Sequence, residues 1–350
     1  MSGMSRKPYR VEINYPKNRK PQYFLVKDVW FKGKKSKVKK FICSGDAPSQ
    51  ELVEIHRKLA FDLELKAAKK VGTIALDKYK IRHLDPQFIN SIEEIKYLYK
   101  KFTELLTKNE AEAYESNFEY YYIQGTTSLE GNTFSLAETK DLLEHGIIPQ
   151  MKSLREINEI QNFKKVKKYR DNYSGKVTVE FIQTLHNLIM ENIDDEFGGI
   201  FRRTDDIGII GCDSLLCPSF EIEDELNKII NFYYEQIKNG YHPVEEAIMF
   251  HYFFEMIHPF VDGNGRVGRE ILNFMLSKDK YPRVLFLGED RTNYLNALKR
   301  GNEFQYSLMV NYFAGIIINQ RLSILRENIE KLMIQNQKGS QRRLTDFFSI

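Results

Sequence analysis

Residues 243–276 read PVEEAIMFHYFFEMIHPFVDGNGRVGREILNFML, and this stretch decides the fold. Pro243 suits the first position of a helix, and Val244, Ala247, Ile248, His251, Phe254 and Ile257 fall on one helical face. Pro259 stops that helix. Beyond it, Asp262-Gly263-Asn264-Gly265-Arg266-Val267-Gly268-Arg269 sets glycines and a left-handed-tolerant Asn before a second helical run, Glu270 to Leu276. Successive backbone N–H groups there form an anion nest at a helix N-terminus, with Arg266 and Arg269, three apart, facing the same anion. Phosphate is the natural ligand. Gly263, Gly265 and Gly268 also satisfy the dinucleotide-binding G-x-G-x-x-G spacing, but that motif follows a strand, and here a helix precedes the turn.

Working outward, the chain is helical on both sides. Helical periodicity runs through Glu51–Ala67, Ile92–Leu106, Tyr114–Ile123, Thr178–Ile193 and Ile222–Ile237. Ser135 with Glu138 and Ser153 with Glu156 have capping-box spacing and mark two helix starts. Between the last two helices, Phe197 to Phe220 is broken by Gly, Asp, Cys and Pro around a short β-like run, Ile207–Ile210, which predicts a loop or hairpin. Only the N-terminus departs from the pattern: Gln22–Phe31 is aromatic and β-branched, Lys32-Gly33-Lys34 reads as a turn, and Val38–Ile42 returns as a partner strand. The expected architecture is mainly α, with a small basic β module over 1–48, helices over 49–112, the principal domain over 113–320, and a C-terminal helix and tail over 321–350.

The 350 residues are 42% hydrophobic and 29% charged, enough for a sizeable core. The longest apolar run, Tyr312 to Ile318, is too short to span a bilayer, so a cytoplasmic protein without membrane contact is expected. Cys43, Cys212 and Cys217 lack both disulfide and metal-ligand spacing. Net charge is +4, but residues 1–45 carry thirteen Lys/Arg against only Glu12 and Asp28. Such a block meets nucleic acid or an acidic partner, or forms a solvated strand edge protected against edge-to-edge pairing; the second reading is favoured and nucleic acid stays open.

From His258 to Arg269 the sequence resembles the signature of the Fic family, His-Pro-Phe-x-x-[Asp/Glu]-Gly-Asn-Gly-Arg-x-x-Arg, with every fixed position matched. The resemblance extends over roughly Tyr114 to Asn302 and implies a Fic-type helical domain with a β-hairpin flap, acting as a protein adenylyltransferase. It implies that His258 is the general base for an incoming protein hydroxyl of Ser, Thr or Tyr. Asp262 holds Mg²⁺ on the phosphates of ATP. The loop from Gly263, Asn264 and Gly265 through Val267 and Gly268 grips those phosphates, Arg266 neutralises the pyrophosphate leaving group, and Arg269 clamps the γ-phosphate. Ile209, Ile210 and Gly211 belong to the flap that pairs with the target, and Tyr294 and Asn302 line the adenosine pocket. Relatives transfer UMP, phosphate or phosphocholine from the same framework, so another phosphate-containing group is an alternative. Outside the resemblance, His258 alone would be a helix cap and His251 a packed core histidine, with no acidic partner at suitable spacing.

Thr126-Thr127-Ser128-Leu129-Glu130-Gly131 resembles the inhibitory motif of the same family, [Ser/Thr]-x-x-x-Glu-[Gly/Asn]. The resemblance implies that Glu130, with Thr126, engages Arg269, denying it to the γ-phosphate, in the class whose inhibitory helix precedes the catalytic domain. Some members of that class use the glutamate to remove AMP instead. At the other end, Gln341, Leu344, Phe347 and Phe348 resemble a sliding-clamp binding box, implying a PCNA-type partner. A nucleotide-sensing binding protein tethered to a clamp or nucleic acid is the alternative to an enzyme, and homo-oligomers remain open.

Overall fold

The computed structural model describes residues 9–205 and 216–338. It is mostly helical, 64% helix, with one antiparallel three-stranded sheet. Two compact units divide the chain. The first comprises residues 1–79, 86–111 and 317–350, the second residues 80–85 and 112–316.

In the first unit, β1 (Arg10–Asn14), β2 (Gln22–Phe31) and β3 (Lys34–Ser44) form a meander in the order β1-β2-β3. Strand β1 is short and was not anticipated. The turn at Lys32 and Gly33 has positive φ at both residues, 42° and 79°, the geometry of a tight hairpin. One sheet face packs on α1 (Gln50–Lys58) and α2 (Phe61–Leu76), burying Tyr23, Leu25 and Val29 with Leu63, Ala67 and Val71. Lys27 on that face meets the fully buried Glu64 at 3.0 Å, and the hydroxyls of Tyr9 and Tyr97 donate to the same carboxylate. One helix was expected over Glu51–Ala67; the structure has two, broken at Leu59 and Ala60 with no Gly or Pro to announce it. Helix α3 (Pro86–Leu105) completes the layer against α2.

The second unit is built on α4 (Lys108–Ser128), α5 (Leu136–His145), α6 (Leu154–Asn172), α7 (Val179–Met190), α8 (Ile222–Lys238), α9 (Pro243–Ile257), α10 (Asn264–Lys278) and α11 (Arg291–Asn302). Both capping boxes form as the sequence predicts, with Ser135 and Ser153 accepting from the amides of Glu138 and Glu156. Helix α9 has the bounds that the apolar stripe and Pro243 predict, and is buried on nearly every side. Helix α10 packs on it. A quartet of buried charges stitches α4, α6 and α10 together: Arg170 meets Glu270 at 2.9 Å and also pairs with Glu119, which Arg283 contacts at 2.7 Å. Removing one member would strand the others in a low-dielectric interior.

Helix α12 (Tyr306–Lys338) begins in the second unit and continues in the first. Its Tyr306–Gln335 stretch, with a window of mean hydropathy 1.3, is long and apolar enough to cross a membrane, which counting consecutive apolar residues missed. A packed helix passes the same test. Met309, Val310, Phe313 and Ala314 are buried, as are Leu325, Ile329 and Leu332.

Candidate active site

The loop between α9 and α10 is shaped by backbone conformation first. His258 ends α9 in the left-handed region, at φ 50° and ψ 60°, with its N–H returned to the Phe254 carbonyl at 3.0 Å. A non-glycine residue held there costs on the order of 1 kcal/mol, and the surroundings must over-determine it. They do so through Arg202. Its wholly buried guanidinium donates to the carbonyls of His258 (2.8 Å) and Ile257 (3.2 Å), the unsatisfied end of α9, where a cation is favoured. The same side chain reaches Thr204, Asp205 and the Cys217 carbonyl, tying both described ends of the 197–220 excursion to the histidine.

His186 braces the loop from α7. Its Nδ1 accepts from the Gly199 amide at 2.9 Å, which leaves Nε2 to donate to the Asp262 carbonyl at 3.0 Å and fixes the neutral tautomer. The ring stacks on Phe260 with centroids 3.7 Å apart. Burial lowers its pKa to about 4. Burial does the same to His258, also to about 4, with the Arg202 charge adding to the effect and the neighbouring Glu255 carbonyl opposing it. His258 is therefore an unprotonated imidazole at neutral pH.

Gly263 opens α10 with φ 78°, and the helix begins at Asn264, six residues earlier than the apolar pattern indicated. The first intrahelical bond runs from the Val267 amide to the Gly263 carbonyl at 3.0 Å. The amides of Asn264, Gly265 and Arg266 are thus the ones left by helix geometry to face an anion. Val267 and Gly268, also named from the sequence, sit inside the ladder: Val267 is fully buried, and Gly268 lies against α9, where an added Cβ would be 2.4 Å from Glu255 Oε1. Asn264 uses its amide on the loop itself, donating to the Phe260 carbonyl (2.8 Å) and accepting from the Phe260 amide (2.9 Å).

Arg266 and Arg269 are both 1% exposed and both paired with carboxylates. Arg266 lies 3.1 Å from Glu159 and 3.2 Å from Asp262. Asp262 is partly exposed, accepts from the Gly263 amide at 2.6 Å, and is also bound by Arg155 of α6. Burial pushes its pKa up, but Arg266, the Gly263 amide and Arg155 together hold it below the usual value. Among the described residues no cluster of three or more His, Cys, Asp or Glu could hold a metal. A magnesium ion here would take one protein carboxylate, that of Asp262, and complete its shell from phosphate and water, an arrangement hard octahedral cations favour. Asp262 fits that role.

Arg269 donates from Nε to Thr126 Oγ1 (2.8 Å) and from Nη2 to the Thr126 carbonyl (2.9 Å) and to Glu130 Oε1 (2.7 Å). Glu130 follows the end of α4, where Gly131 at φ 98° turns the chain and Asn132 is anchored to Glu159 at 2.9 Å. Arg291 donates to the Leu129 carbonyl at 2.8 Å and holds the same helix end. Glu130 Oε1 would lie only 2.5 Å from a Cβ built on Gly265. The carboxylate therefore covers the anion-facing first turn of α10, and only glycine at 265 leaves it room. Burial raises its pKa, but Arg269 outweighs this and keeps it ionised.

Tyr294 is buried and hydrogen-bonds through its hydroxyl to His251 Nε2 at 2.8 Å; Asn302 accepts from Tyr252 at 3.1 Å. His251 is a fully buried core histidine, but it does have an acidic neighbour, contrary to expectation: Glu255, one turn on, lies 3.9 Å from Nδ1. Burial drives the two apart, His251 down to about 3 and Glu255 up to about 8, so both are neutral. No local pattern in the sequence marks His186, Arg155, Glu159 or Glu255, and Arg202 stands there only behind Gly199, Ile200 and Phe201 in the segment that resembles the flap. None belongs to a local motif; each acts across 50 or more residues or, like Glu255, is hidden in an amphipathic helix. Ile209, Ile210 and Gly211, and the tail residues Gln341, Leu344, Phe347 and Phe348, lie outside the described residues.

This geometry has relatives. A model of the Fic/DOC family matches residues 176–276. Protein adenylyltransferase Fic of Drosophila willistoni is 32% identical over 202 residues, 56% of this chain and 39% of that protein. Protein adenylyltransferase fic-1 of Caenorhabditis elegans is 28% identical over 200 residues, again 56% and 39%. The chain spans about two fifths of the length of these curated relatives. Among solved structures, a Fic-domain-containing signaling protein from Bacteroides thetaiotaomicron aligns at TM-score 0.60 and 25% identity over 68% of this chain and 97% of that one. Fic-1 from C. elegans aligns at TM-score 0.60 and 21% identity, over 83% and 87%. Over residues 176–276 the chain is therefore similar to the Fic/DOC family, and its fold resembles that of solved Fic-domain structures.

Proposed function

We propose that the protein transfers AMP from ATP to a hydroxyl side chain of a target protein, and that Glu130 restrains it. The observation that carries this reading is the convergence of a neutral, loop-held His258, a free helix N-terminus and two buried arginines on one turn. The neutral imidazole takes the proton as the hydroxyl attacks the α-phosphorus. The bond to the pyrophosphate oxygen then breaks. Amides of Asn264, Gly265 and Arg266 receive phosphate oxygens, and Arg266 offsets charge developing on the leaving group. Magnesium, when bound with ATP, supplies further neutralisation from Asp262. Phosphate at the first turn of α10 and the carboxylate of Glu130 compete for one place and for one guanidinium, that of Arg269. The resting enzyme is off.

The same arrangement supports the reverse use of Glu130, positioning water to release AMP from a modified target. The relatives named protein adenylyltransferase support the forward direction. Mass spectrometry of the Glu130→Gly protein after incubation with ATP and magnesium tests it. One or more adenylate adducts are expected, absent when His258→Ala is added; adducts that persist without His258 would overturn the role given to it.

A further inference from the structure

Helices α1 and α2 pack on the inner face of the N-terminal sheet, and among the described residues the opposite face exposes charged and aromatic side chains around a buried Val26, an unusual composition for a solvent face. In register across β2 and β3, Trp30 stands beside Lys35, Asp28 beside Lys37, Val26 beside Lys39, and Phe24 beside Phe41. Arg10 and Glu12 of β1 complete the Val26 and Phe24 rows. These residues alternate with Leu25, Lys27 and Val29 of the inner face, so they share the opposite face, where Val26 is buried beneath its neighbours and the others reach the surface. Trp30 is 64% exposed and Phe41 50% exposed, two large rings at the two ends of the face, with Phe24 edge-on to Phe41 at 5.7 Å. Phe24 and Trp30 are six residue steps apart along β2, about 20 Å of strand.

Between the rings, Lys35, Lys37 and Lys39 repeat every second residue, about 7 Å apart along β3. Lys35 lies over the Trp30 ring (5.1 Å) and Lys39 over Phe24 (5.5 Å). Each lysine is also ion-paired to Glu12 or Asp28, at 2.9–3.4 Å, on an exposed surface. Such pairs contribute little and exchange readily for a phosphate partner. The charge is segregated as well: the first 45 residues hold thirteen Lys/Arg and two acids, a net +11, in a chain whose total is +4. An apolar partner would not select this excess, and a duplex keeps its bases out of reach of a flat row of rings. Unpaired bases stack on exposed aromatics while a phosphate chain tracks a line of cations.

We propose that this sheet face binds single-stranded nucleic acid, with bases stacked on Trp30 and on the Phe24–Phe41 pair and the intervening phosphates on Lys35, Lys37 and Lys39. The inference is independent of the transferase reading, since it uses no residue of the second unit. It replaces the solvated-edge reading of the basic block.

Trp30 is the only tryptophan of the chain, so its fluorescence reports contact at the proposed site directly. Titration of the intact protein with a dodecamer of uridylate at low salt should quench that fluorescence and raise the anisotropy of a labelled oligomer. The affinity should fall with salt at a log–log slope of roughly −2, for three phosphates on a single strand. Phe41→Ala should weaken binding about tenfold, as loss of one stacking platform does. Lys35→Gln with Lys37→Gln and Lys39→Gln should flatten the slope, Glu12→Gln should tighten binding, and His258→Ala should bind like wild type. Phe41 and the three lysines are exposed, Glu12 is partly exposed at the strand surface, and unchanged circular dichroism confirms that each variant, His258→Ala included, folds. Absence of binding overturns the proposal. So does binding without quenching, or equal competition by heparin, by duplex or by vesicles of phosphatidylserine, each of which would mark a general polyanion surface.

Discussion

Replacing Glu130 by glycine removes one partner of a pair whose other member, Arg269, is buried and keeps only its two bonds to Thr126. Breaking a wholly buried pair costs about 3–5 kcal/mol, but the Glu130 side chain is 36% exposed and water reaches its end of the pair. A loss of about 1–2 kcal/mol is therefore expected. A chain of this size should then unfold a few degrees lower. The gain is on the rate. In the parent, phosphate must displace a carboxylate from Arg269 and from the first turn of α10; a charge-assisted bond of this kind is worth about 1.5–3 kcal/mol. Initial auto-modification should rise roughly 10- to 150-fold by the same figure. Glu130→Gln keeps the shape and an acceptor but not the charge, and should fall between. Adding Arg269→Ala to Glu130→Gly should cancel most of the gain. The reasoning is refuted if Glu130→Gly is less stable yet no faster than the parent, or if its gain survives loss of Arg269.

Four further outcomes follow from the site. Asn264→Ala strands the amide and carbonyl of Phe260 in the interior; a cost of about 2–4 kcal/mol in chemical denaturation is expected, with activity abolished. Arg202→Gln leaves the α9 carbonyls uncapped and should lower the rate in the Glu130→Gly background while leaving the Kd for ATP near the parent value, measured by calorimetry. Arg155→Ala frees one carboxylate oxygen of Asp262 and should lower the magnesium concentration at half-maximal rate, which a magnesium titration of the Glu130→Gly protein would show. His186, His251 and His258 stay neutral in the fold, with pKa values of about 4, 3 and 4 against 6.5 unfolded. The unfolded chain binds the extra protons, so stability is full above about pH 6.5 and declines as the pH falls toward 4, which denaturation midpoints across that range would show. Glu255, raised to about 8 against 4.5 unfolded, works in the opposite sense and loses its contribution as pH rises from 4.5 through about 8.

The sequence made the turn between α9 and α10 legible because its constraints are local. Proline stops, left-handed glycines and the onset of a new apolar stripe all act within a few residues of each other. The capping boxes of α5 and α6 were readable for the same reason. What could not be read is long-range. Arg202 looks like any flap arginine until α9 ends beside it, and His186 gains meaning only when Asp262 and Gly199 arrive on its two nitrogens. The start of α10 was placed late because a helix's first turn, rich in glycine, carries no apolar period. Strand β1 is five residues with one partner strand, too short for alternation to stand out. The charge of the basic block is visible in the sequence. Only the register showed that its lysines fall on one face with Trp30 and Phe41.

The central claim, AMP transfer through His258, is tested most directly by the position of the label. The Glu130→Gly protein is incubated with magnesium and ATP labelled either at the α- or at the γ-phosphorus, beside the same protein carrying His258→Ala. Label from the α-phosphorus alone, retained through denaturation and absent without His258, is the predicted result. Retention of the γ-label would make the protein a phosphotransferase, and equal labelling with and without His258 would contradict the account outright.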